Sequence, residues 1–206
     1  MVLTKPDFDV AIIGGGPAGG SMGAYLAKAG VSCVVFEREL FPRPHVGESL
    51  VPSAMRVFRD LDFLGQMEEA KFPHKFGAAW TAEDQGAYEM NFQGGQNDAK
   101  DQINPESYVD IRFNERQQDG VDREYTYHVD RSKFDLMLLQ HANKLGAAVY
   151  EGVKVKDVDF GPKEPIVRFN MGSKEMGVSA RMVIDCSGRN TFLGNQMKLK
   201  IRALTR

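Results

Sequence analysis

The sequence predicts an α/β fold with a Rossmann-like nucleotide-binding core and an inserted β-meander. Three observations carry that prediction. The apolar run Phe8–Ile13 ends in Gly14-Gly15-Gly16 and is followed by an alanine- and glycine-rich amphipathic stretch, the order of a strand, a tight turn and a helix. A second apolar run, residues 32–36, ends in Glu37. The apolar runs at 153–160, 166–171 and 175–178 read as an antiparallel meander, which a core of βαβ repeats alone would not contain.

The turn has the spacing Gly14-x-Gly16-x-x-Gly19, with Pro17 and Ala18 opening the helix. Such spacing also occurs in glycine-rich turns of unrelated α/β domains, so its context decides. Gly14 would allow the tight turn, Gly16 would let a pyrophosphate approach the backbone, and Gly19 would let the helix pack against the strand. Phosphates would sit at the helix N-terminus, where free N–H groups and the helix dipole favour negative charge. Glu37, at the end of the second strand, is placed to accept hydrogen bonds from ribose hydroxyls.

Composition narrows the class. The 206 residues suffice for one large domain, and 42% hydrophobic with 26% charged residues is the balance of a globular chain rather than a disordered one. A net charge of -2 argues against a general nucleic-acid surface. No apolar run approaches membrane-span length, and residues 1–7 lack a signal-peptide core, so a cytoplasmic location is expected. Cys33 and Cys186 have no metal-ligand spacing; Cys33 reads as a small buried hydrophobe, and neither is given a disulfide or catalytic role.

The remaining elements follow in order. The first helix, residues 19–28, presents Met22, Tyr25 and Leu26 at helical spacing and stops at Gly30. Residues 38–52 break the pattern with prolines, basic residues and a Gly-Glu-Ser turn, and Pro52 suits a first helical turn. A helix carrying Met55, Phe58 and Leu61 follows, then a shorter one at 64–70. Residues 76–93 read as strand material, with alternation from Tyr88 to Phe92. Residues 94–124 are a polar excursion with one short strand near 108–113. A strand is expected at 125–129. Ser132 then reads as an N-cap, with Asp135 three positions on, for a helix ending at Gly146. Residues 147–150 read as a short buried strand, and a last apolar run at 182–184 leads into Asp185-Cys186-Ser187-Gly188-Arg189 before a basic tail.

Together, Gly14 to Gly19, Glu37-Arg38, Arg43-Pro44-His45-Val46-Gly47-Glu48-Ser49-Leu50 and Asp185 to Arg189 resemble the flavin-dependent halogenases, within the FAD-dependent monooxygenase and reductase superfamily. The segment from Phe41 to Pro52 is closer to halogenases of the phenol and pyrrole type than to those acting on free tryptophan. The resemblance implies a two-domain FAD monooxygenase type of fold. Residues 1–206 would be its FAD-binding region, with β excursions at about 76–130 and 153–180, and the C-terminal substrate part would be absent. It implies FAD as cofactor, a halide ion, a separate flavin reductase, and an aromatic small molecule that is either free or tethered to a carrier protein, as in secondary metabolism. Arg38 would lie along the adenine ring, and Arg43 would offer forked donors to flavin phosphate or ribitol oxygens. His45, Gly47, Glu48 and Ser49 would bring the chain close to the isoalloxazine ring. Arg131 resembles the arginine of the family's Val-Asp-Arg-x-x-Phe-Asp segment and would sit near FAD; Asp185 and Gly188 would close the nucleotide side.

Lys75, in Phe72-Pro73-His74-Lys75-Phe76-Gly77-Ala78-Ala79-Trp80, matches the place of the halogenases' essential lysine. The resemblance implies that it holds or reacts with hypohalous acid made from reduced flavin, oxygen and halide. An apolar surround of Phe72, Phe76 and Trp80 would favour its neutral amine. A snorkelling surface lysine is the plainer alternative. His74 is expected to have no catalytic role. Two family features are missing: the chain contains no Gly-Asp pair, and Trp80 is its only tryptophan, so no Trp-x-Trp-x-Ile-Pro segment exists. Both would lie beyond Arg206 in the family, so the chain resembles the N-terminal portion of a longer enzyme and alone is expected to be inactive. A hydroxylase or prenyl-chain reductase of the same superfamily, or a non-catalytic FAD-binding fragment, stand as alternatives.

Overall fold

A computed structural model of the chain describes residues 5–81, 108–115, 124–161 and 163–199. Four strands form its parallel core. β1 (Phe8–Ile13) lies between β2 (Cys33–Phe36) and the far half of β10 (Lys174–Asp185), and β7 (Ala148–Tyr150) forms the outer edge beyond β2. The sheet continues past β10 into β9 (Ile166–Met171) and β8 (Val155–Asp159), both antiparallel.

The third meander strand and the last apolar run, expected as separate pieces, are one twelve-residue strand. Residues 174–179 of β10 pair antiparallel with β9, and from Ala180 onward the strand pairs in parallel with β1. The hand-over is fixed by Asp7, whose carboxylate accepts from the Ser179 N–H and hydroxyl, both at 2.8 Å. Those bonds hold the Asp7 carboxyl below its usual range. The meander is therefore an extension of the nucleotide sheet, and it carries β10 directly into the cleft.

β1 and β2 are continuous apolar runs because both of their faces are covered. Val10, Ile12, Cys33 and Val35 join a core with α1 (Pro17–Lys28) and α4 (Arg131–Leu145), while Ala11, Ile13, Val34 and Phe36 meet Val155, Val158, Val167 and Phe169 on the other side. Cys33 is buried, as expected of a small apolar residue. β7 is an edge strand with an exposed Tyr150, not the buried strand expected.

The inward face of α1 also differs from expectation. Gly19, Gly20, Gly23 and Ala24 are buried, while Tyr25 is exposed and Met22 and Leu26 lie at the margin. The reason is close helix packing: an added Cβ on Gly20 would lie 3.1 Å from Leu138, and one on Gly23 would lie 3.0 Å from Val35. Glycine at these two positions lets α1 approach α4 and β2 where larger residues could not. The N-cap of α4 is Asp130 rather than Ser132; its carboxylate accepts from the Ser132 N–H at 2.9 Å. Gly146 ends the helix at φ +116°, as predicted.

α2 (Ala54–Asp60) and α3 (Leu64–Glu69) sit where the pattern of Met55, Phe58 and Leu61 placed them. His141 of α4 locks them in place: its Nε2 donates to the Leu61 carbonyl at 2.7 Å, so its Nδ1 is left to accept from Gln66 at 2.9 Å. β4 (Gly77–Thr81) pairs with β5 (Tyr108–Arg112), the strands expected near 76–93 and 108–113. The alternation at 88–92 and the basic tail beyond residue 199 lie outside the described residues. Among those described, no helix is long and apolar enough to cross a membrane.

Candidate active site and cofactor cleft

The glycine turn lies at the carboxyl ends of β1, β2 and β10, where ligands bind in open α/β sheets. Its N–H at Gly14 donates to the Phe36 carbonyl, and the Cys186 N–H donates to the Ile13 carbonyl, each at 2.8 Å. Gly14 has φ +106°, and a Cβ there would lie 2.4 Å from the Cys186 oxygen. A Cβ at Gly19 would lie 1.8 Å from the Gly14 oxygen, so this glycine seats the helix on the turn. Gly16 is different in kind: a Cβ there would meet nothing within 4 Å. It is the N-cap of α1 and provides no side-chain cap, so the first N–H groups of the helix are left to a ligand.

A cleft of about 350 Å³ opens in front of this turn. Gly14, Gly16, Pro17, Ala18, Glu37, Arg38, Arg43, His45, Arg131 and Gly188 of the predicted set line it. Gly19 and Asp185 do not: they lie behind the surface and shape it. The Asp185 carboxylate accepts from the Ser187 and Leu193 N–H groups at 3.0 and 2.8 Å, fixing the turn that carries Gly188 at φ +63°. Gly47, Glu48 and Ser49 also lie off the cleft wall. Val153, Lys154, Val155 and Asn190 line it without having been anticipated. The Val153 N–H donates to the Glu37 carbonyl at 2.8 Å, which brings the chain just before β8 beside Glu37. The sequence signal was slight, two valines around Lys154 just after Gly152.

Glu37 is 5% exposed, and its carboxylate already accepts from the Gly15 N–H at 2.7 Å and the Glu39 N–H at 2.9 Å. Each oxygen retains a further lone pair for a hydroxyl donor. Arg43 presents the opposite case. Its Nε lies 2.6 Å from Glu39 Oε2, an ion-pair distance, yet makes no aligned hydrogen bond, and its buried Nη1 makes none either. A half-buried guanidinium on the wall of a cleft, with Nε and Nη1 lacking aligned hydrogen bonds, suits an anionic group. The open Gly16 position, the uncapped helix and Arg43 therefore fit the pyrophosphate of FAD, and Glu37 fits its ribose.

Arg131 spends its donors mainly inside the chain. It pairs with buried Asp135 through two hydrogen bonds of 2.7 and 2.9 Å, and its Nη1 donates to the Val46 carbonyl at 2.9 Å. It is a brace that ties the 46–47 turn to α4. The Asp135 carboxylate also lies 3.8 Å from Arg43 Nη1. Asp135→Asn would leave two guanidinium groups without a buried counter-charge. It is expected to destabilise the fold by about 3–5 kcal/mol, read as a lower urea midpoint at unchanged slope.

Lys75 is built on a separate small frame. β3 (His74–Lys75) pairs with β6 (Thr126–Tyr127), and residues 48–50 pair with the chain at 127–129 on the other side of β6. Side chains alternate along β3. His74 stacks on Tyr125 at 4.0 Å and approaches Glu68 at 3.2 Å, and Phe76 lies beside His74, 60% exposed. Tyr127 donates to Glu68 at 2.5 Å; burial and that carboxylate push its phenol up, while the bond holds Glu68 below its usual range. Lys75 therefore points elsewhere. It is half-buried, its Nζ donates to Ser49 Oγ at 2.6 Å and lies 5.7 Å from the centre of the Phe113 ring. The expected cage of Phe72 and Phe76 does not form, because Phe72 turns into the main core against Phe134 and Phe76 follows the alternation to the other face. The Trp80 side chain lies outside the described residues.

A doubly covered parallel sheet, a glycine turn with an uncapped helix and a buried acid just past the end of β2 define a dinucleotide-binding protein. The fold overlays the crystal structure of CmlS, a flavin-dependent halogenase, with a TM-score of 0.76 and 28% identity, over 95% of this chain and 32% of that one. Residues 9–205 match the tryptophan halogenase family, and the chain belongs to that family. It is 51% identical over 200 residues to the 1H-pyrrole-2-carbonyl-[peptidyl-carrier protein] chlorinase of Pseudomonas fluorescens, across 96% of this chain and 43% of that protein. It is 36% identical over 193 residues to the flavin-dependent halogenase armH3 of Armillaria mellea, across 91% of this chain and 34% of that protein. The chain thus spans less than half the length of the relatives it matches.

Proposed function

We propose that the whole protein is an FAD-dependent halogenase acting on an electron-rich aromatic ring, of the pyrrole or phenol kind, held on a carrier protein. The observation that carries this reading is the course of residues 43–49. Arg43 and His45 stand on the wall of the cofactor cleft, and Ser49, four residues on, touches Lys75. One short segment thus links the cofactor cleft to a half-buried amine set on its own frame. The name of the chlorinase relative, with its carrier-bound pyrrole, supports the substrate class.

Bound reduced FAD, with oxygen and halide, supplies hypohalous acid. The N-terminus of α1 and Arg43 hold the pyrophosphate, and Glu37 holds the ribose. Lys75 receives the hypohalous acid by hydrogen bond, or as a neutral amine takes its halogen: an N–X bond forms as O–X breaks, and the hydroxide leaves with the amine proton as water. The aromatic carbon then takes the halogen, its ring proton departs and the amine is restored. A separate reductase supplies the reduced flavin.

The test uses the whole protein with chemically reduced FAD, oxygen, bromide and pyrrole-2-carboxyl thioester on a carrier protein. Replacement of ring hydrogen by bromine, seen by mass and absent without bromide, is the expected result. A hydroxylated product indifferent to halide would transfer the protein to the hydroxylase reading.

A further inference from the structure

We propose that Ser49 is the positioning residue for Lys75; this rests on the reading of Lys75 as the group that handles hypohalous acid. Lysine carries its charge on a flexible four-carbon stem, so an amine that must meet a small oxidant needs something to hold it. The Ser49 hydroxyl, 2.6 Å from Nζ, is that contact. Both partners stand on fixed backbone. Ser49 bridges His128, with the Leu50 N–H donating to the Tyr127 carbonyl at 3.1 Å and the Val129 N–H donating to the Glu48 carbonyl at 2.8 Å. Lys75 pairs with Thr126 on the other side of the same strand.

The chemistry of the hydroxyl matters as much as its place. It accepts a hydrogen bond from an ammonium and, after rotating, donates one to a neutral amine, so it can hold Lys75 in both states. The Phe113 ring, 5.7 Å from Nζ, favours the cation only. A carboxylate in place of the serine would favour the cation too. Ser49 is absent from the wall of the cofactor cleft, so its effect is separable from FAD binding.

The experiment compares Ser49→Ala, Ser49→Thr and Lys75→Ala in the whole protein. It reads halogenated product per FAD oxidised, hypohalous acid escaping to a chemical trap, FAD affinity and the pH profile of product formation. In Ser49→Ala, product per flavin is expected to fall about ten-fold or more, with escaping oxidant rising to match and FAD affinity unchanged. Its pH profile should keep its position, because the hydroxyl serves both states of the amine, and Ser49→Thr should recover the yield. Ser49→Ala with full yield beside an inactive Lys75→Ala overturns the proposal alone. So does a ten-fold loss of FAD affinity in Ser49→Ala, which would make the serine a flavin contact, and so does equal loss in the alanine and threonine variants. A fully active Lys75→Ala removes the underlying reading as well.

Discussion

Lys75→Ala in the whole protein is expected to lower halogenated product by about 10³-fold, within the range that a positioned proton-handling or nucleophilic group contributes. Bound flavin should be retained, because Lys75 is absent from the wall of the proposed cofactor cleft. Flavin oxidation by oxygen should continue at an unchanged rate, so that reduced flavin is consumed without halogenation. Lys75→Arg divides the two forms of the mechanism. Arginine keeps the charge and the donors but cannot become a neutral amine at working pH. Partial activity in Lys75→Arg would identify hydrogen bonding to hypohalous acid as the lysine's work; inactivity equal to alanine would identify transfer through nitrogen. Full halogenation in Lys75→Ala, measured by product mass, would falsify the lysine assignment and return Lys75 to a surface role.

The contrast between the cleft and the lysine frame shows how much of this protein is legible as sequence. Gly14, Gly16, Gly19 and Glu37 were readable because each is dictated by local backbone geometry within one βαβ unit: a positive φ, an open approach, a close carbonyl and a strand end. The surroundings of Lys75 were not readable, since its neighbours Ser49 and Phe113 come from distant parts of the chain. The residues next to it in sequence were poor guides, because strand alternation sends Phe76 to the other face and the main core claims Phe72. Arg131 lines the cleft, yet its partners Asp135 and Val46, which its sequence neighbourhood does not reveal together, give it the part of a brace. β10 was read as two strands because its apolar pattern weakens where its neighbour changes from antiparallel to parallel. A pairing change of that kind is tertiary and leaves little trace in periodicity.

The same change, glycine to alanine, is expected to act in opposite ways at two positions of the turn. In Gly19→Ala the new methyl would lie 1.8 Å from the Gly14 carbonyl oxygen, a backbone atom in a turn that is itself bonded to two strands. Neither side can yield without moving α1 off the sheet. The cost is expected to be about 3 kcal/mol or more, at the upper end of overpacking, seen as a lower urea midpoint. Gly16 has φ −67° and open space at its Cβ. There the folded protein should change by less than about 1 kcal/mol, since alanine only weakens an N-cap and restricts the unfolded chain. FAD affinity should nevertheless fall sharply, because the methyl would occupy the approach that the pyrophosphate needs. Titration of FAD into both variants, paired with their urea curves, separates the two roles. Loss of stability in Gly16→Ala, or a stable Gly19→Ala, would contradict the assignment of one glycine to the ligand and the other to the fold.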